Sequence, residues 1–270
     1  MKIENRRIDE MRIEMKTVLE AKQIKKVYDT GGNKFEALKG INLQVKEGEF
    51  VGIMGPSGSG KTTLLNVLST IDNATNGEIL IEGKDIVKMN DDKLALFRRN
   101  HLGFIFQDYN LLDTLTVKEN IALPLALSRV QASEIDRRVL EIAKKFGIDH
   151  ILNQFPYQVS GGQKQRCAAS RAIVTNPSMV FGDEPTGALD SKSATDLLES
   201  MKSLNEHDNS TILMVTHDAF AASYCKRVIF IKDGELYKEL HRGELTRKQF
   251  FQQVVDVMSA ISGGMADDII

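Results

Sequence analysis

The chain has 270 residues, with 35 Lys+Arg against 37 Asp+Glu and a formal net charge of −2. That length holds one large or two small domains, and 42% hydrophobic against 27% charged residues argues against wholesale disorder. A near-neutral total gives no broad electrostatic reason to bind nucleic acid, no apolar run approaches the ~18–20 residues that span a bilayer, and two cysteines, Cys167 and Cys225, are too few for a disulfide framework. Work at a membrane would go through a partner, and a reducing cytosol is the default compartment.

Residues 1–15 mix charges (Lys2, Glu4, Arg6, Arg7, Asp9, Glu10) with few apolar positions and do not resemble a signal peptide. They read as a flexible extension; an amphipathic helix through Ile8, Met11 and Met15 is the weaker alternative, and Met11 or Met15 is an alternative start. From Thr17 the pattern changes. Val18 to Val27 and Ile41 to Val45 alternate as half-buried strands do, and Phe50 to Met54 is the continuous apolar run of a strand inside a parallel sheet. Further strands are predicted at Glu78–Ile81, Leu102–Phe106, Met179–Phe181, Thr211–Val215 and Arg227–Ile231. Helices are predicted over Lys61–Thr70, Ser133–Phe146, Gly161–Thr175 and Ser191–Asn205.

Strands alternating with helices of this length mean an α/β protein with a largely parallel sheet. The stretch of about 108–175 carries helix signals and no good strand, so a helical insert is expected there. Asp233-Gly234 predicts a hairpin, and Phe250, Phe251, Val254, Val257, Met258 and Ile261 form one apolar helical stripe. Residues 263–270 read as a frayed tail.

Gly55-Pro-Ser-Gly-Ser-Gly60-Lys61-Thr62 matches the spacing G-x-x-x-x-G-K-[ST] between a strand and a helix. Glycines let successive N–H groups converge on phosphate oxygens, and the helix N-terminus adds positive potential. Lys61 can reach the β- and γ-phosphates, and the Thr62 hydroxyl can coordinate Mg²⁺. This motif is specific for nucleoside triphosphates, yet does not choose among kinases, GTPases and motor ATPases. Met179 to Glu184 would bring Asp183 to a metal and Glu184 to an attacking water, although an Asp-Glu pair alone is usually a solvated turn.

Val159-Ser160-Gly161-Gly162-Gln163 offers a second anion-binding helix start, with an ordinary Ser N-cap as its bland reading. One nucleotide has one γ-phosphate, so the second cradle would serve a nucleotide held by another copy. Gln107 and His217 follow strands, where ligands of parallel sheets sit, although such residues are elsewhere mere turn formers. Tyr28 either stacks on a base or packs. The other histidines show no metal spacing, and the two cysteines read as packing residues.

Taken in order, these motifs resemble the ATP-binding subunits of ABC transporters over about 16–251, because the Val-Ser-Gly-Gly-Gln stretch is followed by Gly182-Asp-Glu-Pro-Thr-Gly-Ala-Leu-Asp190 and then His217. The resemblance implies a P-loop NTPase (RecA-like) core with an antiparallel β subdomain and an inserted α-helical subdomain, within a cassette over 16–262. It implies a head-to-tail homodimer with two ATP molecules between the copies, each held by Gly55, Ser57, Gly58, Ser59, Gly60, Lys61, Thr62 and Thr63 of one copy and Ser160, Gly161, Gly162 and Gln163 of the other. Tyr28 would stack on adenine, Thr62, Gln107 and Asp183 would serve Mg²⁺, and Gln107 would also contact the permease. Glu184 would be the general base, Asp190 would lie in the loop crossing the dimer, and His217 would contact the γ-phosphate. A permease would dock near Asp108–Val117, placing the chain at the cytoplasmic face of the cell membrane.

Two departures are visible: Val159 where leucine is common, and Gly182 where a larger residue is common, which predicts a looser sheet at that point. Within the family the chain is most similar to the bacitracin-export type, through Phe104 to Asp113, Ala219 to Cys225 and Val228 to Gly234. Lipoprotein-release, macrolide-export and cell-division ATPases are the alternatives, and a soluble nucleic-acid ATPase is the alternative of another class. Against the last stand the short span between Gln107 and Ser160, a single cassette and no basic bias.

Overall fold

The computed structural model describes residues 16–263. The segment 1–15 and the tail beyond Gly263 lie outside them. The chain first builds a hairpin, β1 (Thr17–Thr30) and β2 (Asn33–Lys46), then β3 (Phe50–Met54) and helix α1 (Lys61–Leu68). β4 (Asn76–Ile81), the short β5 (Lys84–Asp85) and α2 (Asp91–His101) lead to β6 (Leu102–Phe106). Three helices follow without a strand: α3 (Val117–Leu127), α4 (Ala132–Lys145) and α5 (Gly161–Ile173). The chain then forms β7 (Met179–Asp183), α6 (Ser191–His207), β8 (Ile212–Val215), α7 (Ala219–Ala222), β9 (Arg227–Lys232), β10 (Glu235–His241) and α8 (Arg247–Gly263).

Two sheets result. β2-β1-β4-β5 is antiparallel, and β10-β9-β3-β8-β7-β6 is parallel except for its β10 edge. β3 is wholly buried, and alternation splits its side chains between two cores. Phe50 and Met54 join the core under α3–α8, whereas Val51 and Ile53 join the core that the antiparallel sheet and α1 share with the opposite face. The α/β reading holds in this two-sheet form.

Several elements depart from expectation. Helix α2 carries no strong sequence signal because only Leu94 and Phe97 are buried on an otherwise polar surface; Asn90 starts it by accepting from Lys93 N–H at 3.0 Å. β2 begins at Asn33, well before Ile41, because its first four residues are exposed and lack an inward-facing pattern. α1 stops at Leu68, and Thr70 turns left-handed (φ 65°). The looser sheet predicted at Gly182 does not appear. Its ladder continues from Ile105 through Gly182 to Met214, and a Cβ there would meet Pro185 Cγ at 3.4 Å, an ordinary contact.

Candidate functional site

Parallel register brings four strand ends to one level: Met54 leads into the phosphate-loop sequence, Phe106 pairs with Asp183, and Asp183 pairs with Val215. Gln107, Asp183-Glu184 and His217 therefore emerge together along the carboxyl edge of the sheet, where such sheets bind ligands.

The loop at 55–60 is held by its glycines. Gly55 has φ 152°, and a Cβ would lie 2.1 Å from the Ile231 carbonyl; Gly60 has φ 101°, with the Ala37 carbonyl 2.7 Å from any Cβ. The loop is stitched to the neighbouring hairpin by Gly234 N–H donating to Ser59 O at 3.1 Å. Ser57 and Gly58 are exposed, while the Ser59 hydroxyl is buried without a partner. Lys61 is buried and folds back, its ammonium donating to Pro56 O at 2.8 Å. Burial lowers its pKa, opposed by the charges of Glu184 and Asp183.

Burial, then the neighbouring Glu184, pushes the Asp183 carboxyl up; a hydrogen bond from Thr62 and the Lys61 charge pull the other way. Its Oδ1 is buried with no hydrogen-bond partner. That unpartnered acceptor beside a hydroxyl is what a hard cation completes. Among the described residues no cluster of three His, Cys, Asp or Glu could hold a metal without further ligands. The donor set fits Mg²⁺, which commonly takes one or two carboxylates and fills its shell with phosphate oxygens and water.

Glu184 sits in a left-handed conformation (φ 45°), fixed by its N–H donating to Val215 O at 2.9 Å and its carbonyl accepting from Gly187 N–H at 2.9 Å. Its Oε2 meets His217 Nδ1 at 2.9 Å. The exposed Gln107 packs its amide against Gly187, where a Cβ would come within 3.1 Å of Gln107 Cδ. Tyr28, on β1, donates its hydroxyl to Asp72 Oδ2 at 2.9 Å, in the linker after α1.

Ser160–Gln163 forms its own set of bonds. Ser160 caps α5 by accepting from Gln163 N–H at 3.3 Å, and Gln163 Oε1 accepts from Ser160 N–H at 2.9 Å. Among the described residues no hydrogen bond or ion pair joins this segment to Lys61, Asp183 or Glu184. Its neighbours are Tyr109, whose hydroxyl is 3.0 Å from a Cβ at Gly161, and Ser193, beside Gly162. Asp190 caps α6: one oxygen accepts from Lys192 and Ser193 N–H, each at 3.0 Å, and the other from Ser193 Oγ at 2.7 Å. Those bonds lower its pKa.

Sequence reasoning passed over Lys26, Asp72, Gln165 and Arg171. Gln165 had a signal, being a polar residue on the buried stripe of α5 with Gly162, Ala168 and Ala169. Asp72 had none.

Residues 38–187 match the family model described as ABC transporter. The chain is 55% identical over 251 residues to the bacitracin export ATP-binding protein BceA of Halalkalibacterium halodurans, covering 93% of this chain and 99% of that protein. It is 52% identical over 255 residues to the ABC transporter ATP-binding protein YxdL of Bacillus subtilis, covering 94% and 98%. Among solved structures, a dimeric post-hydrolysis state of the cassette MJ0796 bound to ADP and Pi superposes with a TM-score of 0.77 at 42% identity, covering 83% and 98%; the protein is from Methanocaldococcus jannaschii. With its phosphate loop, carboxyl-edge cluster and second helix start, the chain belongs to the ABC transporter family as an ATP-binding, ATP-hydrolysing subunit.

Proposed function

We propose that two copies of this chain close on ATP and reopen after hydrolysis, driving a membrane permease that exports or confers resistance to antimicrobial peptides such as bacitracin. The carrying observation is that the chain has two helix starts suited to an anion, and among the described residues no hydrogen bond or ion pair joins Ser160–Gln163 to Lys61, Asp183 or Glu184. Two such termini can meet on one phosphate when they come from two copies. The dimer seen for MJ0796 supports the assembly, and the identity to BceA supports the substrate class.

In this reading Gly55–Thr63 hold the triphosphate, and Lys61 leaves Pro56 O for a phosphate oxygen. Thr62 and Asp183, with Gln107, would hold Mg²⁺, which would supply positive charge to offset that of the phosphates. Glu184 takes a proton from water as its oxygen bonds to the γ-phosphorus and the bond to the β-bridging oxygen breaks. His217 orients Glu184 through its Nδ1 contact and meets the γ-phosphate. Ser160–Gln163 of the second copy close the site, and Asp190, fixed as a cap, sits in the loop crossing between copies.

No helix among the described residues is long and apolar enough to cross a membrane. In this reading the permease docks near Asp108–Val117; of that stretch Asn110 lines a groove of about 390 Å³ together with Phe104, Phe106, Leu127, Arg98 and Arg171. The chain then works at the cytoplasmic face of the membrane, held there by the permease.

The test is growth in bacitracin of a strain lacking the chain. Wild type should restore growth and Glu184→Gln should not; equal sensitivity with and without the wild-type chain overturns the peptide reading. Light scattering of Glu184→Gln with ATP should give twice the monomer mass, and a persistent monomer overturns the dimer.

A further inference from the structure

Asp72, in the linker between α1 and β4, binds two residues of β1 at once. One carboxylate oxygen accepts from the Lys26 ammonium at 2.6 Å and the other from the Tyr28 hydroxyl at 2.9 Å. Lys26 also donates to Asn73 O at 2.8 Å and stands 4.8 Å from the centroid of the Tyr28 ring. Lys26 is only 9% exposed, whereas Tyr28 is 37% exposed. The ring is thus tethered at its hydroxyl, has a cation over one face and remains partly exposed.

An exposed tyrosine that stacks on a ligand ordinarily loses side-chain freedom as it does so, a cost of binding. Here that freedom is already lost on folding. Asp72, which holds the hydroxyl, follows closely on the helix that opens at the phosphate loop.

We propose that Lys26 and Asp72 are positioning residues that hold the Tyr28 ring ready for the purine of the bound nucleotide. This rests on the reading of Tyr28 as the base platform. The consequence is selective: the pair strengthens binding of a triphosphate that carries a base and leaves binding of the phosphates alone.

Titration calorimetry with ATP and with inorganic tripolyphosphate, which has no base, separates the cases. Tyr28→Ala should weaken ATP about tenfold through lost stacking and leave tripolyphosphate within twofold. Asp72→Ala should weaken ATP about 3–10-fold, again sparing tripolyphosphate. The double variant should bind ATP no more weakly than Tyr28→Ala alone, because the pair acts only through the ring. If Tyr28→Ala matters but Asp72→Ala weakens both ligands equally, weakens neither, or adds to Tyr28→Ala, the positioning role is overturned. If Tyr28→Ala leaves ATP binding unchanged, the base-platform reading itself fails and this inference with it.

Discussion

Gln165, inside α5, donates its side-chain amide to the carbonyl of Pro185, 2.7 Å away, at the turn that follows Asp183-Glu184. The same nitrogen donates to Phe106 O at 3.0 Å, just before Gln107. One buried side chain therefore ties the helix that begins at Ser160–Gln163 to the ends of β6 and β7. Further along α5, Arg171 donates to Asn110 O at 2.6 Å and Tyr109 O at 2.9 Å, holding two consecutive left-handed residues.

Gln165→Ala should leave Pro185 O without its partner, while Phe106 O keeps the Tyr109 N–H at 3.4 Å. At about 1–3 kcal/mol for one unsatisfied group, the unfolding midpoint should fall by roughly 2–12 °C. Thermal unfolding without nucleotide measures it, and an unchanged midpoint would show that water replaces the amide.

Lys61→Ala removes the one cation that the phosphate loop itself carries. Charge-assisted hydrogen bonds to an oxyanion are the strong ones, so ATP affinity should fall about 10–100-fold. Calorimetry reads the loss; undiminished affinity would take Lys61 out of the phosphate site.

Glu184→Gln keeps the side-chain shape and removes the proton acceptor. ATP binding should persist while turnover drops by ~10²–10⁴. Phosphate release in single-turnover conditions is the measurement. A wild-type rate in the variant removes Glu184 as base and leaves its contact with His217 a structural one.

Cys167 and Cys225 are buried and free. Burial pushes the Cys167 thiol up to about 12 and the Cys225 thiol higher still. With the folded pKa far above 8, almost no thiolate exists at that pH, and thiolate is the reactive form. A disulfide reagent at pH 8 should label neither cysteine in the native protein and both after unfolding. Rapid native labelling at either would place it at an opening segment.

The phosphate loop, the capping box at Ser160 and the apolar strands were legible in the sequence, because each depends on neighbours within a few residues: glycines that take positive φ, a serine three positions before a glutamine, an unbroken run such as Phe50 to Met54. The strand-end positions of Gln107, Asp183 and His217 followed from the same local patterns. Helix α2 did not, since a helix with two buried residues is nearly silent in its periodicity. Nor did Lys26 with Asp72, 46 positions apart, or Gln165 with Phe106, 59 apart. Those partnerships exist because burial of whole faces decides which strands and helices become neighbours. No short stretch of chain encodes that choice, so a side chain that spans two elements acquires its meaning only when the elements meet.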